Sequence, residues 1–425
     1  MDRDCNTYKA YLKILERELI LAMGCTEPIA LAYCAATARA ALGTLPERNS
    51  VEASGNIIKN VKSVVVPNTG GRRGIAAAAA IGVLGGDEKA ELEVISRVPA
   101  EVKEQLGAYL EKTPIEVKPL ISENLLDMIV TVCSGASYAK ARIAGEHTNI
   151  VWIEKDGKVL FEKDPQQKAE AEDLPDYSLL TVQDIYDFAC SCELNDVRAV
   201  LDRQIACNTA IAEDGLKNDY GANIGKVLLQ SGNDLKTRAK AYAAAGSDAR
   251  MNGSELPVAI CSGSGNQGLT VSLPVITYAR GLGLPDEKLY RALLISNLIT
   301  LHCKSGIGRL SAYCGAVSAG AGAGAGIAYL CGGDVTVISH TIVNSLAITS
   351  GIVCDGAKSS CAAKIAIAVE TGIFGFEMYK NGQQFYGGDG LVVKGVENSI
   401  ANFSRLGRVG MRATDEEIIL MMTEM

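Results

Sequence analysis

Aromatic side chains are scarce in this chain: they make up 5% of 425 residues, and Trp152 is the only tryptophan. A core built without rings must bring backbones close together through alanine and glycine. No CxxC pair occurs, and the Cys/His spacings of structural zinc sites are missing, so neither thioredoxin-type redox chemistry nor a zinc finger is expected. No Gly-Lys-Ser/Thr ending follows a glycine-rich turn, which excludes a P-loop; Asn68-Thr69-Gly70-Gly71-Arg72-Arg73-Gly74 reads as a basic turn. The N-terminus, MDRDCNTYK, has no apolar h-region, so a cytoplasmic location is expected. Basic residues are also in deficit. The net charge of −8 argues against nucleic acid and anionic membrane as partners.

Long runs of large apolar side chains are lacking too. Leu310 to Gly333 carries no charge and is long enough to cross a bilayer. Its residues are mainly Ala, Gly and Ser, and each helical Gly costs roughly 1 kcal/mol relative to Ala. Such a segment needs tertiary packing and reads as a central helix buried among others.

Hydrophobic residues are present at an ordinary 48%, against 21% charged, and the length suggests more than one unit. Tyr8, Tyr11, Leu12, Leu15, Leu19 and Ala22 share a face, predicting a helix over 7–24 closed by Gly24. Thr26-Glu27-Pro28 opens a second helix, with Thr as cap, Glu complementing the dipole and Pro in the first turn. From 50 to 168, VEASGNIIKNVKSVVVP, LEVISRV, LDMIVTVCSG, YAKARIAG and TNIVWIEKDGKVLFEK read as strands, the last folding over a Lys-Asp-Gly-Lys hairpin. RGIAAAAAIGVLG and AEVKEQLGAYLEK read as helices between them. The polar stretch at 166–178 reads as a linker, and nearly everything beyond it is helical in pattern. The expectation is therefore an α+β fold. A helical pair at 1–48 packs on a large helical domain at 179–425, with an α+β lobe at 49–178 inserted between them.

Thirteen cysteines in a reducing compartment are mostly free, buried, catalytic or metal-bound. Cys25, in MGCTEP, precedes a helix start, where the dipole and free N–H groups favour a thiolate able to act as nucleophile or base. A buried small residue fits that position equally. Gly263-Ser264-Gly265-Asn266-Gln267-Gly268 fits G-x-G-x-x-G, but no acidic residue ends a second strand downstream. An anion cradle for a smaller ligand, such as an amino-acid carboxylate, suits it better than a dinucleotide. Cys354 and Cys361 flank an Asp-Gly turn in CDGAKSSC; a continuous helix would hold them ~10.5 Å apart, and the turn shortens that. With Cys314 they offer three sulfurs, suited to an iron–sulfur cluster with one open iron, to another soft metal, or to the core.

Together MGCTEPIALAY, SGNIIKN, HTNIV, AGSDARM, GSGNQG, GRLSAYCG, CDGAK and SCAAK resemble, in order, the motifs of L-cysteine desulfidases, within the wider serine-dehydratase-like alpha-chain family. The resemblance covers about residues 20 to 370. It implies a [4Fe–4S] cluster on Cys314, Cys354 and Cys361, with Cys25 as base. It also implies a substrate loop at Ser262, Gly263, Ser264, Gly265 and Asn266, with His147, Asn149 and Lys304 as further contacts. The implied reaction is β-elimination from L-cysteine to pyruvate, ammonia and hydrogen sulfide. L-Serine dehydration by the same machinery is the nearest rival. A pyridoxal phosphate enzyme using Lys358 or Lys364, and a non-enzymatic iron–sulfur sensor, are further rivals. The expected partner is a small amino acid, and a homo-oligomer is left open.

Overall fold

The computed structural model describes residues 1–164 and 175–423; most of the expected linker at 166–178 lies outside them. The fold is α+β. Helix α1 (Asn6–Glu18) leads to strand β1 (Leu21–Met23) and α2 (Thr26–Leu42). Next come β2 (Arg48–Ala53), α3 (Gly55–Val61), α4 (Gly74–Gly85) and α5 (Ala100–Lys112). Strands β3 (Ile115–Pro119), β4 (Asp127–Ser134), β5 (Ser137–Ala144), β6 (Ile150–Lys155) and β7 (Lys158–Glu162) complete a six-stranded sheet of order β3-β2-β4-β5-β6-β7. All its pairs are antiparallel except β2–β3.

Helix α2 lies against β4, β5 and α4. The buried face of β5 presents Ala139 and Ala141, small enough for close approach, and Cys34 Sγ donates to the Ala141 carbonyl at 3.2 Å.

The second half is helical: α6 (Val182–Ser191), α7 (Arg198–Lys217), α8 (Ile224–Ser231) and α9 (Leu235–Met251) precede a short strand, β8 (Pro257–Ala259). Then follow α10 (Gly265–Gly281), α11 (Asp286–Ser305), α12 (Gly315–Leu330), α13 (Val335–Thr349), α14 (Cys361–Lys380), α15 (Val396–Arg405) and α16 (Arg412–Thr423). As its composition predicted, α12 is buried throughout from Ala316 to Leu330, with α10, α11, α13 and α14 around it. The absence of side chains sets how close they come: a Cβ on Gly320 would lie 2.3 Å from the Ala368 carbonyl oxygen of α14. No helix among the described residues is long and apolar enough to cross a membrane.

Several local expectations differ from the structure. The first helix ends at Glu18, because Leu21–Met23 pairs antiparallel with Pro257–Ala259, a long-range contact that no local pattern reveals. NIIKN forms α3 instead of continuing a strand, with Ser54 at its N-cap position, and SVVVP beyond it makes only an isolated bridge from Val65 to Arg73. LEVISRV makes a 3₁₀ turn at Glu91–Glu93 and buries Leu92, Val94 and Ile95 without joining the sheet.

Candidate active site

Pairing of β1 with β8 sets the first part of the site. The antiparallel pair holds Leu21–Met23 beside Pro257–Ala259, and beyond it the segments Gly24-Cys25-Thr26 and Ser262-Gly263-Ser264 come into direct contact. Thr26 Oγ1 donates to the Gly263 carbonyl at 2.9 Å and fixes the two segments together. Gly24 adopts φ +61°, and a Cβ there would lie 2.5 Å from Pro67 Cγ, so this turn requires glycine.

A second pairing sets the sulfurs. Tyr313 and Val353 form an isolated antiparallel bridge; Cys314 N–H donates to the Ile352 carbonyl, and Cys354 N–H to that of Ala312. Cys314 and Cys354 are thereby held on neighbouring strands of backbone. The Asp355-Gly356 turn then reverses the chain so that Cys361 opens α14. Gly356, at φ +89°, packs so tightly on α3 that a Cβ would meet the Lys59 carbonyl oxygen at 2.2 Å. Asp355 ties the turn down through ion pairs to Lys358 and Lys364. Burial pushes its carboxyl upward, but hydrogen bonds from those two lysines outweigh it and hold it at about 2.

These segments enclose a cavity of about 110 Å³, lined by Cys25, Ser264, Asn266, Lys304, Cys314, Cys354 and Cys361 among others. That is room for several waters or a small ligand. Four helices start there: α2 at Cys25, α10 at Ser264, α12 at Cys314 and α14 at Cys361, and none has a side-chain hydrogen bond capping it. Lys59, Arg250, Lys304, Arg309 and Lys364 add five cations to the lining, against the single carboxylate of Glu27. Helix starts and cations together make the cavity a place for anions.

Burial pushes the Cys314 thiol up to about 12, with the neighbouring Cys354 adding to it, and burial raises Cys361 as well. Thiols so placed ionise when a metal takes the proton's position. Among the described residues no three His, Cys, Asp or Glu side chains converge as a single metal ion requires. A polynuclear cluster has a different demand, since each thiolate binds its own iron. Three mutually interacting thiols around a cation-lined cavity fit that demand. Cys261 does not line the cavity; its backbone exchanges hydrogen bonds with Ser264. Cys303 does not line it either.

The matching family is described as serine dehydratase alpha chain, and its profile covers residues 89–420. The chain belongs to that family. It is similar along nearly its whole length to a UPF0597 protein of Desulfitobacterium hafniense, with 58% identity over 99% of this chain and 98% of the relative. A UPF0597 protein of Lachnoclostridium phytofermentans is 51% identical over 98% and 99% of the two chains. One from Treponema denticola is 44% identical over 99% of each. The family points to a lyase of the dehydratase type.

Of the residues expected at the site, Cys25, Ser264, Asn266, Lys304, Cys314, Cys354 and Cys361 line one cavity. Ser262 faces a neighbouring cavity of about 510 Å³, which shares Lys304 and Arg309 with the first. Gly263 and Gly265 contribute backbone at the start of α10. His147 sits behind the lining, its Nε2 3.8 Å from Glu27 Oε1. Asn149 is occupied elsewhere: it donates to the Ala144 carbonyl at 2.8 Å and accepts from Lys163. Lys358 and Lys364 are both paired with Asp355, and Lys364 also donates to the Val353 carbonyl, so neither is the free amine that pyridoxal phosphate attachment needs.

Cys25 differs from its expected state. It is the N-cap residue itself, and its thiol is pushed well above the usual range by burial and by Glu27; Arg250 pulls the other way. In the sequence Glu27 reads only as an acid that complements the dipole of α2. In the structure it accepts from Cys25 Sγ (3.1 Å), Thr26 Oγ1 (3.2 Å) and Asn60 Nδ2 (3.1 Å). Burial would raise its carboxyl, yet His147 and the Cys25 thiol hold it at about 2. Lys304, wholly enclosed, is lowered to about 8 by burial, against the pull of Cys354 and Cys314.

Proposed function

We propose that this chain is an iron–sulfur-dependent β-elimination lyase that converts L-cysteine and water to pyruvate, ammonia and hydrogen sulfide. One observation carries the reading. Three cysteines from two distant segments, a fourth at a helix start and a glycine-rich helix start all border one cation-lined cavity. Cys314, Cys354 and Cys361 would hold a [4Fe–4S] cluster, which would supply Lewis acidity toward the leaving sulfur through an open iron.

The chain's own groups do the rest. Ser264 and the backbone N–H groups of the first turn of α10, that of Asn266 among them, receive the substrate carboxylate, where negative charge builds as the α-proton leaves. Cys25 takes that proton. To do so it must be a thiolate: Arg250 favours that state, while burial and Glu27 oppose it. Lys304 and Lys364 face the cluster cysteines and offset their charge. The released aminoacrylate tautomerises and hydrolyses to pyruvate and ammonia in water.

L-Serine in the same cavity is the nearest alternative; the greater affinity of sulfur for iron favours cysteine. A second reading has an observation behind it: Cys25 and Cys361 meet in one apolar group with Val64, Met251 and Ala357. Cys25 as a fourth ligand would close the cluster and make the protein a sensor or binding protein. Iron and labile sulfide per chain, measured on anaerobically purified protein, followed by sulfide and pyruvate release from L-cysteine, test the proposal. Absence of iron after anaerobic reconstitution ends it, and faster ammonia release from L-serine transfers the activity to a dehydratase.

A further inference from the structure

The least explained charge in the cavity is that of Arg250, the penultimate residue of α9. Its side chain is among the largest fully buried in the protein, with the residue 1% exposed. It makes no ion pair with any described residue, and its Nε and Nη2 have no hydrogen-bond partner. No carboxylate among the described residues comes within ion-pair distance of it. Asp248, two residues back on α9, accepts from the Gly225 N–H through Oδ2, and its Oδ1 has no partner. Both oxygens of Glu27 are taken by Cys25, Thr26 and Asn60. A buried guanidinium left without a counter-charge is expensive and implies a partner supplied from outside.

Its position says which partner. A Cβ on Gly265 would lie 2.2 Å from Arg250 Nε and 2.7 Å from Cζ, so only glycine there lets the guanidinium rest on the first turn of α10. The fork and the uncapped start of α10 at Ser264 therefore offer donors to the same small space. A planar carboxylate, with two oxygens to match two N–H groups, is the anion that geometry suits. Acceptors for an ammonium lie in the same lining: the side-chain oxygens of Asn60 and Asn266 are also without partners. The cluster cysteines, in contrast, already have Lys304 and Lys364 beside them.

We propose that Arg250 binds the α-carboxylate of the substrate and so makes a free carboxylate a condition of entry. This rests on the amino-acid lyase reading. The test uses anaerobic, iron-loaded protein, the variants Arg250→Met and Arg250→Lys, and L-cysteine beside L-cysteinamide. Arg250→Met should raise KM for L-cysteine by roughly 10- to 100-fold, keep its iron and visible absorbance, and lose the preference for cysteine over the amide. Arg250→Lys should lie between, with the charge kept and the fork lost. A variant that still discriminates acid from amide as the parent does overturns the proposal, and so does one that loses its iron, which would assign Arg250 to the cluster. Calorimetric binding of L-serine and of its decarboxylated counterpart ethanolamine separates this from the lyase reading. Without any turnover, carboxylate-dependent binding lost in Arg250→Met still supports the anchor, and no binding of either by the parent overturns it.

Discussion

Cys25 donates its S–H to Glu27 Oε2 across 3.1 Å within the first turn of α2. The bond holds the sulfur as a thiol, because a carboxylate both accepts the proton's hydrogen bond and opposes a second negative charge. Replacing Glu27 with Gln removes the charge and leaves the packing nearly unchanged. The Cys25 thiol should then ionise at lower pH, and the pH profile of its alkylation by iodoacetamide should move toward acid. If Cys25 is the base, the pH profile of elimination should move the same way. An unmoved alkylation profile would show that burial alone sets the thiol.

Each of Cys314, Cys354 and Cys361 should be needed for iron, whereas Cys25 should not. Changing any of the three to Ala is expected to remove most of the iron and the visible absorbance of anaerobic protein. Cys261→Ala and Cys303→Ala should keep both, since neither sulfur reaches the cavity. Cys25→Ser should keep the spectrum and lose elimination by orders of magnitude. Loss of iron from Cys25→Ser would instead make it the fourth ligand, as its contact group with Cys361 allows.

How much of this could be read from the residues depended on whether the signal was local. Cys314, Cys354 and Cys361 stood out by their motifs, and the Asp-Gly turn between the last two was visible in CDGAKSSC. The buried α12 followed from its small, uncharged composition. Glu27 was hidden because an acidic residue in a first helical turn has an ordinary explanation. Arg250 was hidden because nothing in AGSDARM says that the guanidinium is buried and unpaired. Lys59, within SGNIIKN, gains its place in the lining only once α16 packs on α3. Strand β3 escaped because IEVKP, although it alternates, is a short edge strand that is mostly exposed and ends in proline.

Lys59 Nζ and Asp415 Oδ1 form an ion pair at 2.5 Å, with side chains 1% and 10% exposed, and Asn56 donates to the other oxygen at 3.0 Å. Removing one partner leaves the other charge buried. Asp415→Ala should cost about 3 kcal/mol in urea unfolding. Lys59→Met combined with Asp415→Leu should recover much of that loss, because an apolar pair of similar volume has no desolvation penalty. The single Asp415 variant should also lose activity, since Lys59 lines the cavity. A cost within about 0.5 kcal/mol, the scale of an ordinary surface change, would mean that the pair is solvated in the working protein.

Packing far from the cavity should reach the cluster through the helix axes. Gly372 of α14 and Gly320 of α12 face each other so closely that a Cβ on Gly372 would stand 2.2 Å from the Gly320 carbonyl oxygen. Backbone on both sides leaves no flexible side chain to yield, so Gly372→Ala must push the helices apart. Overpacking of this kind costs roughly 1–3 kcal/mol. The same two helices begin at two of the proposed cluster ligands, with Cys314 the N-cap of α12 and Cys361 the first residue of α14. A shift between their axes therefore changes the spacing of two sulfurs. Gly372→Ala should unfold at lower urea and also release iron faster to a chelator under native conditions. Gly382→Ala, where a Cβ would meet nothing within 4 Å, lies two residues past the end of α14 and serves as the control. Its φ of +72° makes some local strain certain, but that strain has no route to the sulfurs, so its iron release should match the parent. Equal release from the two variants would break the link from helix packing to the metal site.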